Sequence, residues 1–102
     1  MPPRPPEIDP AVWDHLGRHH GSEVVALLAY REAHEDAFER VHPDGPDIWA
    51  QVHHAVEAEW ATTVEDVVRR RTSLAVRGLA TPEVRSRIAA AMGLQPTAVE
   101  PG

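Results

Sequence analysis

Nowhere along the chain do apolar and polar residues alternate with the period of two that a half-buried strand requires. Helix is therefore the regular structure left to it. The apolar residues recur three and four positions apart, in runs cut short by glycine or proline. An all-α fold follows: a small bundle of about five short helices with short connections and disordered, proline-rich termini.

The helix boundaries are written in capping chemistry. Asp9 followed by Pro10 is an N-cap carboxylate and a proline at the first helical position, and Val12, Trp13 and Leu16 give that helix its apolar face. Gly17 weakens it and Gly21 ends it. Ser22 caps a second helix carrying Val24, Val25, Leu27 and Leu28, which residues 32–41 could prolong with only Phe38 and Val41 as large apolar support. His42-Pro43-Asp44-Gly45-Pro46 is a loop. Asp47 is expected to cap a third helix with Trp49, Val52, Val56 and Trp60 in one stripe. Thr63 and Asp66 form a variant capping box for a fourth, lined by Val64, Val67, Val68 and Leu74 and stopped by Gly78. Thr81-Pro82-Glu83 opens a fifth, with Val84, Ile88, Ala91 and Met92 buried and Gly93 at its end. The expected organisation is a leader over 1–9, a helical domain over 10–94 and a tail over 95–102.

The 102 residues amount to one small domain. A net charge of −6 argues against a nucleic-acid binder, which would carry excess cations to release counterions from phosphates. The charge is uneven: the acids crowd before Thr63, whereas Arg69, Arg70, Arg71, Arg77, Arg85 and Arg87 follow it. Zero cysteines exclude disulfides, thiolate metal sites and cysteine nucleophiles. The longest apolar run, Val24 to Tyr30, is far short of the ~20 residues that span a bilayer, so no transmembrane segment is expected.

Seven histidines raise the question of metal. His15 and His19 stand four apart beside His20, but Gly17 intervenes and spacing supplies no third ligand. His53, His54 and Glu57 form a second group, yet the E-x-x-H order of bundle di-metal sites is absent. Surface or packing roles suit both groups, and no residue is assigned to metal. Ser22, Ser73 and Ser86 sit in helical or capping contexts without a nucleophile elbow. The run Glu32, Glu35, Asp36, Glu39, interspersed with Arg31 and Arg40, reads as a solvated face. Glycine-rich phosphate loops and dinucleotide fingerprints are absent. The strongest constellation lies in residues 57–74. Asp66 and Arg70 are an i, i+4 pair in the favourable order, and Arg71 could reach Glu59 across the helix–helix corner. Glu59, Asp66, Arg70 and Arg71 are expected to form a partly buried structural network.

This stretch resembles the C-terminal helical domain of FAD-dependent glycerol-3-phosphate dehydrogenases and the related alpha-glycerophosphate oxidases. A Glu-containing helix running into Asp-x-x-x-x-Arg-Arg-Thr reads here as Glu59, then Asp66, Arg70, Arg71 and Thr72. An upstream run is matched by His15-Leu16 and His20-Gly21-Ser22, with Val25 and Leu28 in the apolar slots, and the loop at 42–46 matches in character. The similarity covers residues 12–93. Two departures stand out: His20 replaces the usual aromatic before Gly21, and the chain closes after Leu94 with a polar tail.

The resemblance implies a domain of glycerol 3-phosphate metabolism whose FAD, substrate and hydride chemistry belong to a preceding catalytic region. No catalytic or cofactor residue carries over to this chain. The expected role is packing against the flavin- and substrate-binding body, or self-association, with Trp13, Tyr30, Trp49 and Arg69 as anchors if exposed. The implied location is cytoplasmic, peripheral to the inner membrane through a full-length partner. The rival reading is an independent metal- or protein-binding helical module using the histidine groups.

Overall fold

A computed structural model describes residues 2–93, and it is all-α. Helix α1 spans Pro10–His20, α2 Val24–Ala29, α3 Trp49–Glu57 and α5 Pro82–Ala91. Helix α4 is a single α-turn, Val64–Asp66, that continues as a π-turn over Val67–Arg71. Short 3₁₀ turns over Gly21–Glu23 and Tyr30–Glu32 link α1 to α2 and close α2. None of the described helices is long and apolar enough to cross a membrane.

Three starts follow the capping chemistry. Asp9 accepts the Ala11 N–H, Thr63 the Asp66 N–H and Thr81 the Val84 N–H, at 3.0, 3.0 and 3.2 Å. The third helix departs from expectation. Its N-cap is Ile48, whose N–H is accepted by the Gln51 side chain at 2.8 Å, while Asp47 turns inward. Backbone carbonyls complete the start: Glu39 accepts from Trp49 and Ala37 from Ala50. The strand-like geometry this needs is an isolated antiparallel bridge between Arg40 and Ile48, which closes the loop 41–47. Residues 32–41 do not prolong α2. Beyond Glu32 they form turns, and the carbonyls of Ala37 and Glu39 accept from the start of α3 instead of from a helical ladder.

Two apolar clusters make the core. One gathers Ile8, Val12, Leu16, Val24, Leu27, Ala37, Ile48 and Ala50. The other gathers Val41, Trp49, Val52, Ala55, Ala61, Val67, Val68, Leu74, Val84 and Ile88. Helix α3 belongs to both, and every residue from Trp49 to Ala55 is buried. A helix buried all round must find partners for its polar side chains inside the protein. Those groups are Gln51, His53, His54 and the Trp49 indole N–H, of which the indole N–H and His54 Nδ1 are left without a partner.

Several sequence expectations are corrected here. The core takes in Ile8, upstream of the helix start and within the stretch read as leader; Ile8 is 1% exposed. Ala89, not Ala91, is buried on α5, and Val25 faces solvent. Leu74 is buried but lies beyond α4, since Thr72 is extended (φ −140°, ψ 175°) and breaks the helix. The cause is visible: the Ser73 N–H, which would continue the helical ladder, is taken by the Asp47 carboxylate. Trp60 is not on the stripe of α3. The helix ends at Glu57, and the indole is 83% exposed. The expected tail, 95–102, lies outside the described residues.

Candidate functional site

A polar cavity of about 180 Å³ forms where α1, the start of α3, the turn after α3 and the residues following α4 meet. Asp47 lies at its base, fully buried. One carboxylate oxygen, Oδ1, accepts from His15 Nε2 at 3.0 Å and from Gln51 Nε2 at 2.9 Å. The other accepts from the Ser73 hydroxyl and the Ser73 N–H. Four charge-assisted hydrogen bonds offset the loss of hydration that would otherwise forbid an acid here. Arg77 Nε then donates to Ser73 Oγ at 2.7 Å. The Ser73 hydroxyl donates a hydrogen bond to a carboxylate whose lone pairs are shared among three further donors, and no histidine is bonded to it, so the arrangement positions backbone rather than activating a nucleophile.

Gln51 propagates this order outward. Its Oε1 accepts from Ile48, so its Nε2 donates both to Asp47 and to His20 Nε2 at 3.2 Å. His20 Nε2 must therefore accept, which leaves its proton on Nδ1, 3.9 Å from a Glu23 oxygen. Burial pushes the His20 imidazole below its ordinary 6.5, partly countered by Glu23 and Glu59. His15 lies buried against this network, with the His19 ring centroid 4.3 Å from its own.

Of the four residues singled out in the 57–74 stretch, the structure brings three together. Arg71 is one-third exposed and reaches Glu59 Oε1 at 3.5 Å and Asp66 Oδ2 at 3.4 Å. Arg70 approaches Asp66 at 3.8 Å from solvent and is 80% exposed. Glu59, Arg70 and Arg71 line the cavity with His15, His19 and His20, so both halves of the sequence pattern face one space. Asp47 and Ser73 were missed. The signal lay in an acid before α3 together with the serine after Thr72, but nothing local links them.

The second histidine group is rearranged. His53 pairs with Asp36 and Glu57 with His34, both at 2.9 Å, and the His34 and His53 rings stack 3.7 Å apart and 9° from parallel. His54 is buried without a hydrogen bond on Nδ1.

The surface carries one more feature. Trp60 has φ +60°, the one non-glycine residue among those described with a positive φ. The Ala61 N–H bonds back to the Ala55 carbonyl at 2.9 Å, so Trp60 takes its left-handed conformation in the turn that follows the helix cap at Ala58, a conformation glycine adopts without cost. A large side chain pays conformational strain there and gains no burial. Of the anchors expected, Trp49 is buried and Trp13 and Tyr30 are half-buried; Arg69 is exposed and paired with Glu65. Beside α2, a groove lined by Ala26, Ala29, Tyr30 and Ala33 ends at Ala58, two residues before Trp60.

Residues 4–96 match the model of a family described as the C-terminal domain of alpha-glycerophosphate oxidase. The chain is also similar to a glycerol-3-phosphate dehydrogenase from Synechocystis sp., 39% identical over 71 residues, covering 62% of this chain and 13% of that protein. The chain thus spans a small part of the length of its curated relative. Solved structures give no match.

Proposed function

The chain belongs to the family of the C-terminal domain of alpha-glycerophosphate oxidase, and from that membership we propose that it is a non-catalytic helical domain serving glycerol 3-phosphate oxidation by packing against a catalytic body. The flavin and the substrate are assigned to that body; the Synechocystis relative, a glycerol-3-phosphate dehydrogenase, is much longer than the segment matched here, which is 13% of it. The setting is cytoplasmic, with any membrane contact made through the full-length partner. No residue of this chain is assigned to hydride transfer.

The observation that carries the reading is Trp60. A bulky residue held at positive φ costs about 1–2 kcal/mol relative to glycine, and 83% exposure returns none of it within this domain. Retained strain of this kind belongs at functional positions, and tryptophan is a favoured interface anchor. The anchor docks the turn after α3 onto the catalytic body, with the neighbouring groove receiving an apolar edge.

A chimera tests this. The Synechocystis dehydrogenase, with its matching segment replaced by this chain, is expected to oxidise glycerol 3-phosphate. The purified chain alone is expected to be colourless and unable to reduce dichlorophenolindophenol with the same substrate. Stoichiometric flavin in the isolated chain, or turnover by it, would end the non-catalytic reading.

A further inference from the structure

We propose that Glu23, His54 and Glu59 hold one divalent first-row metal ion, zinc by donor chemistry, at the edge of the polar cavity. This departs from the sequence expectation that no residue binds metal, and it does not depend on the packing role. The three side chains come from the turn after α1, from α3 and from the turn after α3, and their ligand atoms lie within 4.8 Å of one another. Imidazole with two carboxylates is a donor set that zinc accepts, leaving its fourth position to water.

His54 supplies the independent observation. It is 8% exposed, and among the described residues neither ring nitrogen makes a hydrogen bond. Its Nε2 faces Glu59 Oε2 at 3.9 Å, too far for a hydrogen bond but a spacing that an ion between the two atoms would draw in. The buried nitrogen without a partner is Nδ1; Nε2, the one turned toward Glu59, makes no hydrogen bond to the described residues, so its lone pair is open to an ion. Glu59 can serve without releasing Arg71, because the guanidinium uses Oε1 and His54 faces Oε2. Glu23 Oε1 lies 3.9 Å from His20 Nδ1, too far for a hydrogen bond, so Glu23 gives up no hydrogen bond to His20 on taking the ion.

The other histidine cluster, His34, Asp36 and His53, does not qualify on the same reasoning. Both of its Nε2 atoms are already hydrogen-bonded to carboxylates. Its rings are nearly parallel at 3.7 Å, so their in-plane lone pairs run side by side instead of converging.

The test is calorimetric titration of the whole chain with Zn²⁺ alone, with Co²⁺ as a visible-absorption probe. One ion is expected to bind with a Kd below ~10 μM. Glu23→Gln, a change at a half-exposed side chain that leaves the core intact, is expected to weaken binding about tenfold or more. His54→Gln is expected to abolish it, and His34→Gln to leave it unchanged. No one-to-one binding, binding indifferent to Glu23→Gln, or binding lost on His34→Gln would each overturn the proposal.

Discussion

The hydroxyl and the backbone N–H of Ser73 both donate to a single oxygen of Asp47, at 2.6 and 3.0 Å. That pair of bonds ends α4, ties the residues after it to the start of α3, and sets the floor of the cavity. It also converts an acid that reads as a helix cap into the buried hub of the domain.

Removing the hub strands four donors. Breaking a buried charged network by deleting one partner costs ~3–5 kcal/mol, against a total near ~5 kcal/mol for a domain this small. Asp47→Ala is therefore expected to leave the chain largely unfolded in the absence of urea. Ser73→Ala keeps the backbone bond and loses only the hydroxyl, so it should cost about 1.5–3 kcal/mol and shift the urea midpoint without abolishing the transition. Equal and small effects of the two changes would contradict the hub.

The arginine run separates by exposure. Arg71→Ala removes a half-buried cation lying between Glu59 and Asp66 and should lower the urea midpoint by more than either neighbour does. Arg70→Ala and Arg69→Ala remove solvated pairs and should move the midpoint little. Glu65, whose carboxyl the hydrogen bonds from Arg69 and Arg85 hold below its ordinary range, keeps Arg85 when Arg69 is lost. Three equally mild substitutions would show that the run is a solvated face.

Acid should loosen the cavity through His20. Its imidazole is pushed below 6.5 in the folded chain, chiefly by burial, so the unfolded chain binds the proton more readily. The associated stability is present above the unfolded value and is lost as pH falls from 6.5 through the folded value. Protonation would also set an N–H of His20 against the Gln51 amide. Glu23 and Glu59 oppose the shift, while His15 and His19 reinforce it. In chelator-treated buffer, His20→Asn is expected to flatten the fall in urea midpoint below 6.5. A pH profile identical to the wild type would remove His20 from the account.

What could be read in the chain was what is local. Asp9-Pro10 and Thr81-Pro82-Glu83 mark helix starts because a cap bonds to an amide two or three residues away. Asp47 carries the same local pattern but bonds across 26 residues to Ser73 and 32 to His15, and no spacing rule reports such a choice. The misreading of α4 follows from it, since the amide that breaks the helix is caught by that distant acid. Trp60 fell on the stripe of α3 by a four-residue interval. The helix had already closed, and a tryptophan gives no sign that its backbone takes a glycine's conformation. Glu59 and Arg71 were found because both a corner contact and the family resemblance pointed to them. The partners of His34 and His53 depended on the turns over 32–41, which resist periodicity.

The most direct test of the packing role is Trp60→Gly, measured twice. In the isolated chain, glycine relieves the positive-φ strain and should raise stability by about 1 kcal/mol. In the chimera with the Synechocystis dehydrogenase, the same change removes the anchor and should shorten the half-life of glycerol 3-phosphate oxidation on heating. A more stable isolated chain with a less durable chimera is the predicted pair of results. A chimera that is unchanged, or that gains the same stability as the isolated chain, would contradict the assignment of Trp60 to the interface.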